Sequence, residues 1–153
     1  MVTAEELIDS IEDEIRKVTR VNPFKYTNFG VIPDSPTFPS FNFMLLGRDH
    51  FDQTDIRPSG MQLKWELTYE VHVLYQAISR NTGRLDGRRY VDKAVELFVE
   101  QMPSDKRLNG EAFEIMPSNI RYGAIELEGA TNYKYADGGI FTLTIRFVQT
   151  KET

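Results

Sequence analysis

The stretch "LKWELTYEVHVLYQ", residues 63–76, alternates apolar and polar positions almost without error, and this run constrains the fold more than any other. Successive side chains on a strand point to opposite faces. Leu63, Trp65, Leu67, Tyr69, Val71, Val73 and Tyr75 therefore share one face, while Lys64, Glu66, Thr68, Glu70, His72 and Gln76 share the other, with Leu74 as the exception. A strand with one apolar and one polar face belongs in an antiparallel sheet that packs on one side. At about 3.3 Å per residue it spans roughly 45 Å, more than the core of a small domain requires, so part of it is expected to project.

The remaining strands are expected around it. "IFTLTIRFVQ", residues 140–149, sets Phe141, Leu143, Ile145 and Phe147 against Thr142, Thr144 and Arg146. "FNFMLL", residues 41–46, is short, apolar and bounded by turn formers. Residues 112–116 and 120–127 read as two further short strands, with 132–135 carrying the second outward. "ADGG", residues 136–139, reads as a tight hairpin turn, because Asp-Gly and Gly-Gly supply the positive φ that such turns need. Pro23, Pro33, Pro36 and Pro39 confine the segment between the first helix and residue 41 to irregular or edge structure, where Phe24, Tyr26, Phe29 and Ile32 still have apolar surface to pack.

Two helices complete the pattern. Thr3 and Glu6 have capping-box spacing. Leu7, Ile8, Ile11, Ile15 and Val18 follow at helical period, with acidic first turns and Arg16, Lys17 and Arg20 at the end, as the helix dipole prefers. Asn22-Pro23 stops this helix. A second helix is expected over 88–102, after the loop "RNTGRLDG", with Tyr90, Val91, Ala94, Val95, Phe98 and Met102 on one face and Pro103 as the stop. The expected fold is a single α+β domain over 1–153: a mainly antiparallel sheet, two helices packed on one of its faces, and a long inter-strand loop.

Composition then limits function. The chain has no cysteine, which removes disulfide frameworks, thiolate metal sites and cysteine nucleophiles. A net charge of -5 at pH 7 disfavours gripping nucleic acid by phosphate neutralisation, but does not exclude a protein that lets DNA pass without gripping it. No apolar run has the length of a membrane span. The acidic start "MVTAEELIDSIEDE" differs from the basic-then-apolar pattern of an export signal, so assembly in the host cytoplasm is expected.

The connection "GRDHFDQTDIRPSG", residues 47–60, holds the densest set of candidate ligands, Asp49, His50, Asp52 and Asp55. A small metal-dependent hydrolase would need these to converge. The run lacks the glycine and terminal glutamate of a calcium loop, however, and the rigid frame that supports a metal site. His72 beside Glu70 is a possible base only within a cleft, and a solvated or interface histidine is the plainer reading. Trp65, Tyr69 and Tyr75 lie on the apolar face, which favours core packing over base stacking. "GRLDG" and "YADGG" lack the lysine of a phosphate loop. The basic cluster from Arg16 to Lys25 is explained by the helix end it complements. No catalytic set or cofactor site emerges. At about 14 residues, the connection exceeds ordinary loops and carries isolated apolar anchors; such loops are more often functional and suit contacts between copies of a protein. Arg48, Phe51, Ile56 and Arg57 are its candidate contact residues, and removing 48–59 is expected to leave a folded monomer with impaired assembly. The polar strand face, with Lys64, Glu66, Glu70 and His72, is the second candidate interaction surface.

The pieces "AEELIDSIEDEIRKV", "FNFMLL", "LKWELTYEVHVLYQ", "RRYVDKAVELFVEQM" followed by "RLNG", and "GIFTLTIRFVQ" stand in an order that resembles the tail terminator, or tail completion, proteins of long-tailed bacteriophages and related archaeal viruses. The resemblance covers almost the whole chain and is one of pattern and order; the proline-rich segment 23–39 is longer than the family pattern. It implies a non-enzymatic virion protein without cofactors. Such a protein forms a homo-oligomeric, hexameric ring on the head-proximal end of the tail tube, stops tube growth, meets the head-completion proteins of the neck, and lets genomic DNA pass without specific binding. A head-completion or connector protein of the same neck shares these features and is separated only by its position in the particle. A ligand-binding α+β domain would instead need a closed apolar pocket.

Overall fold

A computed structural model of the chain describes residues 3–20, 26–30, 38–50, 55–57, 60–78, 85–100, 114–127 and 134–151. The element order is α1 (Ala4–Arg20), β1 (Tyr26–Phe29), β2 (Ser40–His50), β3 (Asp55–Arg57), β4 (Gly60–Ile78), α2 (Leu85–Glu100), β5 (Glu114–Glu126) and β6 (Tyr135–Lys151). The strands form one sheet in the order β1-β2-β4-β6-β5, with β3 also paired to β4. The fold is α+β and the sheet mainly antiparallel; the edge pair β1–β2 is parallel.

The alternation of β4 sets the layers. Leu67, Tyr69 and Val71 lie opposite Ile145, Leu143 and Phe141 of β6, and all six are fully buried. Phe41 and Phe43 of β2 extend this layer opposite Val73 and Val71. Ile11 and Ile15 of α1, with Val91, Ala94 and Val95 of α2, close the same cluster, so both helices cover one face. Burying such side chains stabilises by about 1.5–3 kcal/mol each, which makes this layer the source of the fold's cohesion. Thr3 caps α1, its Oγ1 accepting from the Glu6 N–H at 3.2 Å. Leu74, which breaks the alternation, marks a smaller cluster on the opposite face, with Ile125, Leu127 and Ala136 and the half-buried Phe38 and Ile140.

Several expectations are corrected. "ADGG" is not a turn: Ala136–Gly139 lies inside β6, buried and paired to both β4 and β5. Its glycines serve close approach. A Cβ on Gly138 would collide with the Val73 carbonyl oxygen, and one on Gly139 would lie 2.5 Å from the Arg121 carbonyl oxygen and 2.9 Å from Val91 Cγ2 of α2. The two short strands expected over 112–127 are one strand, β5, whose register shifts between Ser118 and Arg121 at Asn119, a residue with φ of 52°. Turn-like "PSN" letters thus mark an irregularity within a strand. Helix α2 begins at Leu85, inside the segment expected to be loop, and Gly87 in its first turn makes room for the buried Asp137 carboxylate. Met102, Pro103 and residues 132–133 lie outside the described residues.

The long inter-strand loop is also shorter than expected. Strand β2 continues through Gly47 to His50, 11 residues in all, and β3 returns onto β4 with Arg57 opposite Gly60. Because β6 occupies the other edge of β4, β3 prolongs the edge that β2 began. The expectation misread polar letters as loop letters. Residues 45–50 are strand with both faces exposed, so they carry no apolar alternation. The segment 48–59 is therefore partly sheet, and its removal would strip paired strand from β4.

Candidate interaction surface

The sheet face away from α1 and α2 carries several hydrogen-bonded groups of polar side chains. In one transverse row, Asp49, Glu66, Arg146 and Glu114 come from β2, β4, β6 and β5. Arg146 Nε donates to Glu66 Oε2 at 3.0 Å, and its Nη1 to Glu114 Oε2 at 3.0 Å. One guanidinium thus ties three strands together, its fork geometry meeting two carboxylates at once. The hydrogen bond to Glu66 raises the pKa of Arg146, which stays charged at any working pH.

Farther along β4, His72 Nε2 lies 2.7 Å from Glu70 Oε1, as the strand spacing i, i+2 allows. Beside it, the buried Asn42 donates from Nδ2 to Ser40 Oγ at 3.1 Å and to the His72 carbonyl at 3.3 Å, and accepts from Asn28 Nδ2 at 3.0 Å. Polar residues on β1, β2 and β4 are therefore joined before the small apolar cluster begins. Lys64, Glu66, Glu70 and His72 fall together on this face, as their spacing requires. His72 Nδ1 is buried without a hydrogen-bond partner.

The residues assigned to docking divide differently. Arg48 is on β2 with its guanidinium 4.3 Å from the Trp65 ring centre, and His50 stacks on the same indole at 4.0 Å. Trp65 in turn donates from Nε1 to Gln149 Oε1 at 3.0 Å. Arg48 thus stiffens the projecting ribbon against its neighbour strand. Ile56 and Arg57 have their backbones in β3, and Phe51 lies outside the described residues. Of the residues weighed as metal ligands, Asp49 accepts from the His50 N–H at 2.8 Å, which engages the carboxylate locally. Asp52 lies outside the described residues, and Asp55 is placed on β3.

Sequence reasoning missed the apolar edges. On β2, Leu45 and Leu46 are 42% and 61% exposed beside the irregularity between Leu45 and Gly47. On β5, at the other end of the sheet, Met116, Ile120 and Tyr122 are 46%, 37% and 47% exposed. The signal was present in "MLLG" and "IMPSNIRYG", where apolar letters crowd around Gly and Pro without the alternation of a one-sided strand. Tyr122 donates to Asp92 of α2, which holds its ring over the helix side, and this hydrogen bond raises its pKa. An open cleft lined by Tyr75, Asp86, Arg89, Tyr90 and Lys93 lies where α2 meets β4; its charged, open lining differs from the closed apolar pocket of a ligand-binding domain. The chain matches no protein-family model and no curated protein.

Proposed function

We propose that the chain is a structural subunit of a viral neck, a tail terminator that closes into a hexameric ring at the head-proximal end of the tail tube and acts there without catalysis. One observation carries this reading: both helices lie on one sheet face, while the other presents two polar groups, Arg146 with Glu66 and Glu114, and His72 with Glu70. In a ring, the helix layer faces outward or toward neighbours and the polar face lines the passage. Asp49, Glu66, Glu70 and Glu114 on that face outnumber Lys64, Arg121 and Arg146 by one, a balance that does not hold phosphate. The order of elements that resembles tail terminators supports the same assignment.

The test is to add purified protein to growing tail tubes and measure tube length and end occupancy by electron microscopy. Tubes of fixed length bearing a ring on one end are the expected result. Rings that bind the head vertex and ignore tube ends would reassign the chain to head completion. Protein that binds neither would overturn the neck reading.

A further inference from the structure

We propose that the outer edge of β2 over residues 44–50 pairs, antiparallel, with the outer edge of β5 of a second copy of this chain, so that the sheets of successive copies run on into one another. The inference rests on the ring reading only for closure; the pairing itself stands on the two edges. Strand β1 covers β2 only from Ser40 to Phe43, and the Gly30 N–H closes that pairing on the Phe43 carbonyl. Beyond it, among the described residues, no strand lies on the outer side of β2, and this stretch carries the exposed Leu45 and Leu46. The opposite edge, β5, carries the exposed Met116, Ile120 and Tyr122. A sheet edge with apolar side chains is a template for another strand unless something covers it.

Direction and level select the occupant. Each step from β2 to β4 to β6 to β5 is antiparallel, so β5 runs opposite to β2. A copy related by rotation about an axis along the strands therefore places its β2 antiparallel to β5, continuing the alternation. Such a head-to-tail contact uses two different patches and closes into a ring, whereas pairing of like edges stops at a dimer. The levels agree as well. Gly47, Thr68, Thr144 and Met116 share one transverse row, and Arg48, Leu67, Ile145 and Ile115 share the next. The free part of β2 thus stands at the height of the first residues of β5. Keeping the rows level sets Asp49 opposite Glu114, a like-charge pair; a two-residue slip, which preserves the faces, sets Asp49 opposite Met116 and supplies the stagger that a closed sheet needs.

The native chain has no cysteine, so single-cysteine variants report this contact cleanly. Gly47→Cys meets no atom within 4 Å and Met116 is exposed, so both variants, with Asp49→Cys for the slipped register, are expected to keep the native melting curve. Under mild oxidation, mixing Met116→Cys with Gly47→Cys or with Asp49→Cys should give a covalent dimer absent from each variant alone. A dimer from Gly47→Cys alone or Met116→Cys alone would show like edges pairing and overturn the proposal. So would assembled protein in which no mixture cross-links. Cross-linked protein that fails to cap tubes would sink the terminator reading and leave the edge pairing intact, while capping rings without cross-links would do the reverse.

Discussion

The centre of the sheet and its projecting end are built from the same two strands, yet they are held together by different physics. At the centre, β4 and β6 place Leu67, Tyr69, Val71, Phe141, Leu143 and Ile145 in one layer with no solvent exposure, closed by both helices. Toward the end, the same strands continue past Trp65, and the side chains of their partner β2 become exposed from Leu45 onward. There, beside the buried Leu63, Phe147 and Gln149, the contacts include a stacked histidine, a guanidinium over an indole and an amide hydrogen bond. The centre supplies stability to the monomer. The end adds less buried apolar surface than the centre, while its strand pairing runs on to Met61 and Lys151.

Two side-chain truncations, of Phe141 and of Leu46, break or sharpen this contrast most directly. Phe141→Ala should cost about 3–5 kcal/mol in denaturant unfolding, because it removes a fully buried ring from beneath both helices. Leu46→Ala should change monomer stability by no more than about 0.5 kcal/mol, as for other surface substitutions. If Leu46→Ala unfolded the chain comparably, the edge would belong to the core and its role in assembly would fall. Gly138→Ala comes next. Its Cβ meets the backbone of Val73 and Leu74, neither of which yields as a side-chain tip would, so a loss of roughly 1–3 kcal/mol is expected on urea unfolding. A neutral result would mean that the sheet can open at this point.

These positions also show what was legible in the sequence and why. Strand β4 could be read because one face is buried and the other is not, which writes period two into the letters; the same holds for β6 from Phe141 onward. Helix α1 was legible through its cap and its buried Ile11 and Ile15. Gly138 and Gly139 were misread because a glycine that makes room for a carbonyl uses the same letter as one that adopts positive φ. Residues 47–50 were misread because a strand exposed on both faces has no period to show. The polar face was placed from the spacing of Lys64, Glu66, Glu70 and His72, but its link through Arg146 to Glu114 depends on strand order, which local pattern does not encode.

A smaller effect tests the projecting end itself. Arg48→Ala removes the cation over Trp65 at a partly exposed site and should lower stability by about 0.5–1 kcal/mol. Tryptophan fluorescence offers a second readout, since Trp65 is the chain's one tryptophan. Loss of the guanidinium should change its emission, while the far-ultraviolet circular dichroism of the sheet stays constant. An unchanged emission would mean that Arg48 does not hold the ring in solution, and the ribbon would then depend on His50 and Gln149 alone.

The smallest effect lies where α1 meets the core. Glu12 Oε1 accepts from Tyr69 O–H at 3.0 Å. Burial raises the pKa of Glu12 above its ordinary value, against the opposing pull of the Tyr69 hydrogen bond and of Arg16, and burial raises Tyr69 as well, with the Glu12 charge adding to it. The folded chain therefore takes up a proton at Glu12 at a higher pH than the unfolded chain does. Below the unfolded value the protonated group favours the fold fully; as pH rises through the folded value that contribution is lost. Glu12→Gln keeps an acceptor for Tyr69 and removes the titration. Its stability relative to the native chain should rise as pH climbs above the ordinary carboxylate range and then level off, by less than about 1 kcal/mol because the site is only partly buried. Urea unfolding at a series of pH values measures this directly. A gap that instead favours the native chain more as pH rises would mean that the hydrogen bond to ionised Glu12 outweighs burial, and that the helix is tied to the sheet by charge as much as by Ile11 and Ile15.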